Sequence, residues 1–132
     1  MSRANVEVVK RGYEALDRGD MAAALEGFDP SIEWWDRSDA LNPTVVRGHE
    51  GMRKMWAEIA ESFAEWRMEP KEFIDAGDYV VVPLDHVMRG RASGALIEGH
   101  EVHMFKLRDG KVTELREYQT KAEALEAVGL AE

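Results

Sequence analysis

The spacing of apolar residues changes period once along this chain, and that change constrains the fold more than any other feature. From Arg3 to Arg18, the residues Val6, Val9, Tyr13 and Leu16 fall on one stripe at helical spacing, and Gly19 supplies a stop. Asp20 is placed to cap a short second helix, M-A-A-A-L-E, that turns Leu25 and Phe28 inward. Pro30 breaks that run, and S-I-E-W-W-D predicts a strand from Ser31 to Asp36. The polar stretch Arg37 to Thr44 reads as a loop, with Asn42-Pro43 as its turn signal. A longer helix is expected from about Glu50 to Ala64, with Met52, Met55, Trp56, Ile59 and Phe63 on its apolar face.

Beyond that helix the period becomes 2. Trp66 to Asp75 reads as an edge strand, because Pro70 cannot donate to a central ladder. Long strands are expected over Tyr79–Arg89, Ala95–Leu107 and Lys111–Gln119, and a last short helix closes at Gly129. Helices first and consecutive antiparallel strands after them predict an α+β fold: a curved sheet whose concave face is covered by helices and encloses a pocket. At 132 residues, with no linker, repeat or low-complexity tract, residues 1–132 are expected to form a single domain.

Charge and composition then exclude function classes. The net charge of −9, with basic residues scattered among acidic ones, argues against nucleic acid or an anionic membrane surface as a partner. With no cysteine, disulfides, thiolate metal sites and a cysteine nucleophile are excluded. The first residues show no signal-peptide pattern, and no apolar run approaches the roughly 18 residues of a membrane span, so the expected compartment is the cytoplasm. Metal binding by the four histidines is not expected. His100 and His103 are three apart on a strand and face opposite ways, and no carboxylate pattern completes a site.

The hairpin Glu101–Gln119 carries the chemistry. One face of its first strand holds His103, Phe105 and Leu107, an imidazole on an otherwise apolar face. What lies opposite depends on the turn R-D-G-K. A two-residue Asp-Gly loop closed by Arg108 and Lys111 puts Arg116 across from His103. A three-residue loop with Gly110 left-handed puts Leu115 there, with Glu117 next along the same face. Both registers stay open at this level.

Several segments in sequence order resemble the SnoaL-like branch of the nuclear-transport-factor-2-like superfamily: V-V-K-R-G-Y-E-A-L-D-R-G-D, F-D-P-S-I-E-W-W-D, G-H-E-G-M-R-K-M-W, D-A-G-D-Y-V-V-V, F-K-L-R-D-G-K-V and A-L-E-A-V-G-L. That superfamily also holds ketosteroid isomerases, polyketide cyclases and limonene-type epoxide hydrolases. The resemblance implies a cone-shaped, strongly bent antiparallel sheet wrapped around a long helix, an apolar cavity, and a homodimer formed through the convex sheet face. It implies catalytic roles at three positions. Asp36 falls where the isomerases carry their general base, and Trp34 and Trp35 beside it could supply the apolar setting that raises a carboxylate pKa. The plainer reading of Asp36 is a turn residue capping backbone amides. His103 falls at the position of the isomerases' oxyanion-side acid, and its plainer reading is a core histidine bonded to a carbonyl. Glu117 matches the acidic residue of the cyclases' last strand, or else belongs to a solvated strand face.

Tyr13, Trp34, Trp56, His86, Met88 and Phe105 are expected to line the substrate pocket or the core beside it. Departures also count. The isomerases' helix tyrosine aligns with Gly12, next to Tyr13, and the strand L-D-H-V-M-R-G lacks the R-x-D of the epoxide hydrolases. The function these residues predict is a cofactor-independent enzyme moving a proton next to a carbonyl on a small, mostly apolar molecule, by isomerisation, cyclisation or dehydration. The rival readings are a non-catalytic module for ligand binding or dimerisation and, third, an epoxide hydrolase.

Overall fold

The computed structural model describes residues 2–36 and 44–130. Four helices and seven strands follow one another as α1 (Ser2–Asp17), α2 (Met21–Glu26), β1 (Phe28–Asp36), β2 (Thr44–Arg47), α3 (Gly48–Ser62), β3 (Phe63–Pro70), β4 (Ile74–Ala76), β5 (Tyr79–Gly90), β6 (Leu96–Arg108), β7 (Lys111–Tyr118) and α4 (Lys121–Ala127). The strands form one strongly curved, unclosed sheet in the order β2-β1-β7-β6-β5-β3, with β4 also on β5. β3 lies at the sheet edge, where Pro70 removes no central ladder bond. The turn signal Asn42-Pro43 lies outside the described residues. Among those described, no helix is long and apolar enough to cross a membrane.

Several details differ from the sequence expectation, among them a strand β2 that it lacked, the end of α3 at Ser62 with Phe63 opening β3, and the division of Trp66–Asp75 into β3 and β4. The sheet is mixed, because β1 runs parallel to β7 while its other ladders are antiparallel. β1 also begins at Phe28, ahead of Pro30; the pairing with β7 shifts between Phe28 and Glu33, so the proline falls where the ladder is interrupted. The local signals behave as their chemistry requires. Asp20 Oδ1 accepts from the Ala23 amide at 3.0 Å, satisfying an orphan donor at the start of α2. Gly19 takes the left-handed conformation (φ 76°) that lets the chain leave α1.

The main core lies between the helices and the concave sheet face. Val9 and Tyr13 of α1 and Met52 and Trp56 of α3 meet Ile32, Val82, Leu84, Phe105 and Leu115 of the strands. A smaller cluster on the other face packs Ala124 of α4 over Val81, Val102 and Met104. Trp56 is only 1% exposed and packs near Phe28; its indole N–H has no hydrogen-bond partner among the described residues. The structure therefore places Trp56 in the core, where apolar packing holds the indole at the cost of an unmet donor.

The β6–β7 turn follows neither predicted register. Asp109 (φ 53°) and Gly110 (φ 76°) are both left-handed, and Arg108 pairs with Lys111, the geometry of a two-residue loop. That loop alone would bring Arg116 opposite His103. The ladder instead slips between Lys106, paired with Glu114, and Leu107, paired with Val112. Thr113 is the extra residue, and its hydroxyl donates to the Lys106 carbonyl at 3.3 Å. One bulged residue moves the register by one, so His103 faces Glu117 and Arg116 turns to the other side of the sheet, its guanidinium 4.4 Å over the Trp35 ring.

Candidate functional site

Alternation along the central strands decides which side chains meet inside the cone. On β6, Gly99, Glu101, His103 and Phe105 share the concave face, and their β5 partners are His86, Leu84, Val82 and Val80. β7 adds Leu115 and Glu117, and β1 adds Trp34 and Asp36. These strands, together with α3 and β3, line a cavity of about 340 Å³. Its apolar wall is Trp34, Met55, Ile59, Trp66, Met68 and Met88; its polar groups are Asp36, His86, Glu101 and Glu117.

Behind the cavity lies a chain of hydrogen bonds. The Tyr13 hydroxyl is 2.8 Å from His103 Nδ1, His103 Nε2 is 2.7 Å from Glu101 Oε2, and Glu101 Oε1 is 2.8 Å from His86 Nδ1. Burial opposes ionisation of Glu101, but the hydrogen bonds and favourable electrostatics of His103 and His86 outweigh it and hold its pKa below the usual carboxylate value. An ionised Glu101 only accepts, so His103 Nε2 carries the hydrogen, and in the neutral ring Nδ1 accepts from Tyr13. Tyr13 keeps that proton: burial pushes its pKa well above 10.0, and the electrostatics of Glu101, with those of Glu117 once it ionises above about pH 9, push the same way.

His103 is 1% exposed, stacked against Tyr13 and edge-on to Trp34 and Phe105. With Tyr13 and Phe105 it lines a narrow apolar crevice of about 20 Å³ next to the helices; Trp34 and Met68 border both this crevice and the 340 Å³ cavity, which His103, Tyr13 and Phe105 do not line. Both its ring nitrogens are committed. The structure thus brings Asp36, Glu117, His86, Met88 and Trp34 to one cavity and sets His103, Tyr13 and Phe105 one layer behind it. Removing the Tyr13 hydroxyl leaves His103 Nδ1 buried without a donor. Tyr13→Phe is expected to cost about 1–3 kcal/mol of stability in urea unfolding, and a neutral result would mean that this bond holds nothing in place.

Among the described carboxyl groups, Glu117 is the most strongly perturbed. Trp34 Nε1 donates to its Oε2 at 3.0 Å, and its carboxyl is also hydrogen-bonded to Asp36. Burial raises its pKa most, followed by the Asp36 hydrogen bond and the charges of Glu101 and Asp36; against the Trp34 bond, the net result is about 9. At neutral pH Glu117 is therefore a carboxylic acid with a proton to give, beside an ionised Glu101 on the same wall.

One group of metal-ligand type forms among the described residues: single donor atoms of Glu101, His103 and Glu117 lie within 4.8 Å of one another. The sequence expectation weighed histidine pairs and did not see this convergence of two glutamates from β6 and β7. These donors are already spent on Tyr13, His86, Trp34, Asp36 and each other, so a cation would have to displace several hydrogen bonds.

Glu101 was absent from the sequence-level candidates, although the signal was present. In E-V-H it stands two residues before His103 and so shares its face. Met55, Ile59, Trp66 and Met68 gave no such signal, because apolar residues at these spacings read equally well as core.

Comparison with known proteins gives a consistent grouping. Residues 9–115 match the family described as SnoaL-like domain. The phenazine biosynthesis protein PhzA1 of Pseudomonas aeruginosa is 25% identical over 99% of this chain and 82% of its own length. The crystal structure of TerC, obtained with polyporic acid, superposes with a TM-score of 0.78 at 25% identity, covering 95% of this chain and 98% of TerC. Bal32a, from a soil-derived mobile gene cassette, superposes at 0.80 with 19% identity, covering 96% of this chain and 97% of Bal32a.

Proposed function

The chain belongs to the SnoaL-like domain family, and from that premise we propose that it is an acid–base enzyme moving a proton next to a carbonyl on a small, mostly apolar molecule. The observation that carries the reading is the hydrogen-bonded pair Asp36–Glu117 at the wall of an apolar cavity, with Glu117 holding its proton to about pH 9. In the proposed step Asp36 takes the proton from the carbon next to the carbonyl, and the C–H electron pair becomes a C=C bond. Glu117 gives its proton to the carbonyl oxygen, leaving an enol, a protonated Asp36 and an ionised Glu117. Where a C=C bond lies next to that carbon, the product is a dienol. Return of the Asp36 proton to the far end of the diene and of the enol O–H proton to Glu117 re-forms the carbonyl and completes an isomerisation. A simple enol is the nucleophile that a cyclisation needs. His103 acts here through Glu101, which it holds in place. No step calls on a cofactor.

Two further observations support a small organic ligand. The cavity of about 340 Å³ lies in the range of known ligand sites. Among similar proteins, one is a phenazine biosynthesis protein and TerC was crystallised with polyporic acid.

Deuterium uptake tests the reading without knowledge of the substrate. Cyclohexanone and 3-cyclohexen-1-one, held in D2O with catalytic amounts of protein, are expected to gain deuterium next to the carbonyl faster than in buffer. Binding of these ketones without exchange would favour a ligand-binding module. Diol formation from cyclohexene oxide would favour the hydrolase.

A further inference from the structure

We propose that His86 selects the substrate, requiring a hydroxyl or N–H donor at a point separate from the reacting carbonyl, and that Gly99 is the residue that makes room for it. The inference rests on the cavity being the substrate site and extends that reading to the class of compound admitted.

His86 lines the cavity, and its ring is about one-fifth exposed (22%). Its Nδ1 is committed to Glu101 Oε1 at 2.8 Å. Glu101 is ionised and has no hydrogen to offer, so Nδ1 carries the hydrogen and, in the neutral ring, Nε2 is left with an open lone pair. Nε2 has no hydrogen-bond partner among the described residues. A carboxylate that fixes one nitrogen of an imidazole also fixes its tautomer and its aim, which makes the other nitrogen a directed acceptor.

The backbone confirms that this placement has been accommodated. His86 and Gly99 are cross-strand partners on the concave face. A Cβ at residue 99 would lie 2.8 Å from His86 Nε2 and 3.0 Å from Cε1, closer than real contacts allow. The imidazole thus occupies the space of the missing side chain, and Gly99 is not in the left-handed region, so no turn geometry accounts for the glycine. A larger residue at 99 forces the ring to move from the position in which it meets Glu101. Met68, which pairs with His86 on β3, and Met88 line the same cavity with apolar side chains, so a ligand offering no donor loses the solvation of Nε2 without replacing it.

The test compares 2-naphthol, which offers a donor, with 2-methoxynaphthalene, which does not, by isothermal titration calorimetry. The wild type is expected to favour 2-naphthol by about tenfold or more, the usual effect of one buried hydrogen bond. Gly99→Ala, which removes no titratable group, and His86→Phe are each expected to bring the two ligands within about threefold. If Gly99→Ala fails to fold, His86→Phe decides alone. No preference in the wild type, or one unchanged in His86→Phe, overturns the inference. Because the readout is binding, that result leaves deuterium exchange untouched, and a failed exchange experiment leaves the donor preference standing.

Discussion

Glu117→Gln is expected to slow deuterium uptake by a factor of about 100 to 10,000, the range that a positioned acid or base contributes. Glutamine keeps the size and can accept from Trp34 Nε1, but its amide gives up no proton to an enolate oxygen. Asp36→Asn is expected to fall in the same range, because the proposed step needs one group to take a proton while the other gives one. The two effects should not add. Once either is missing, the pair can no longer return to its starting protonation state, so the double variant should resemble the worse single one. His103→Ala should disturb exchange through Glu101 and be accompanied by lost stability, since the ring is buried with both nitrogens bonded. Exchange within a few-fold of wild type in both Glu117→Gln and Asp36→Asn would remove the mechanism.

The second large effect lies in the pH dependence of stability. Glu117 holds its proton to about pH 9 in the folded chain, against the ordinary value of 4.5 once unfolded. Between those values the unfolded chain binds fewer protons, so stability must fall as pH rises. The contribution is complete below about 4.5 and is lost as pH passes through about 9. One fully shifted group changes stability by up to about 1.4 kcal/mol per pH unit, and a partly solvated group by less. Glu101 runs in the opposite sense: its lowered pKa supplies stability above the ordinary value that disappears as the pH falls through the folded one. Glutamine at 117 cannot titrate. Urea unfolding from pH 5 to 9 should therefore show wild type losing stability relative to Glu117→Gln, by about 2 kcal/mol or more over the range. Parallel curves would mean that residue 117 titrates alike folded and unfolded.

Much of the architecture was legible because it follows local rules. Apolar stripes marked α1 and α3, Asp20 marked the start of α2, and period-2 alternation marked β5, β6 and β7. What sequence left open depends on contacts between distant residues. Nothing in S-I-E-W-W-D says that β1 will lie parallel to β7, since that choice belongs to the closing of the whole sheet. β2 was missed because V-V between polar neighbours is too short to show a period. The turn was read as a choice between two loop types, and neither register it offered is the observed one, because the deciding feature is a bulge at Thr113 that no local signal announces.

The site divides along the same line. Residues with a chemical signature, Asp36, His86, His103 and Glu117, were visible, but burial decided their standing. His103 drew attention as an imidazole on an apolar strand, and that setting follows from its packing between Tyr13, Trp34 and Phe105. Glu101 passed as one charge among many until the fold gave it two histidines.

The central claim is that Glu117 is a neutral acid at physiological pH. Protein carrying carbon-13 at the glutamate side-chain carboxyls, followed by NMR from pH 4 to 10, tests it directly, with Glu117→Gln identifying the resonance. The account predicts one glutamate titrating at about 9 that vanishes in the variant. A Glu117 resonance titrating near 4.5, with the other glutamates, would contradict it.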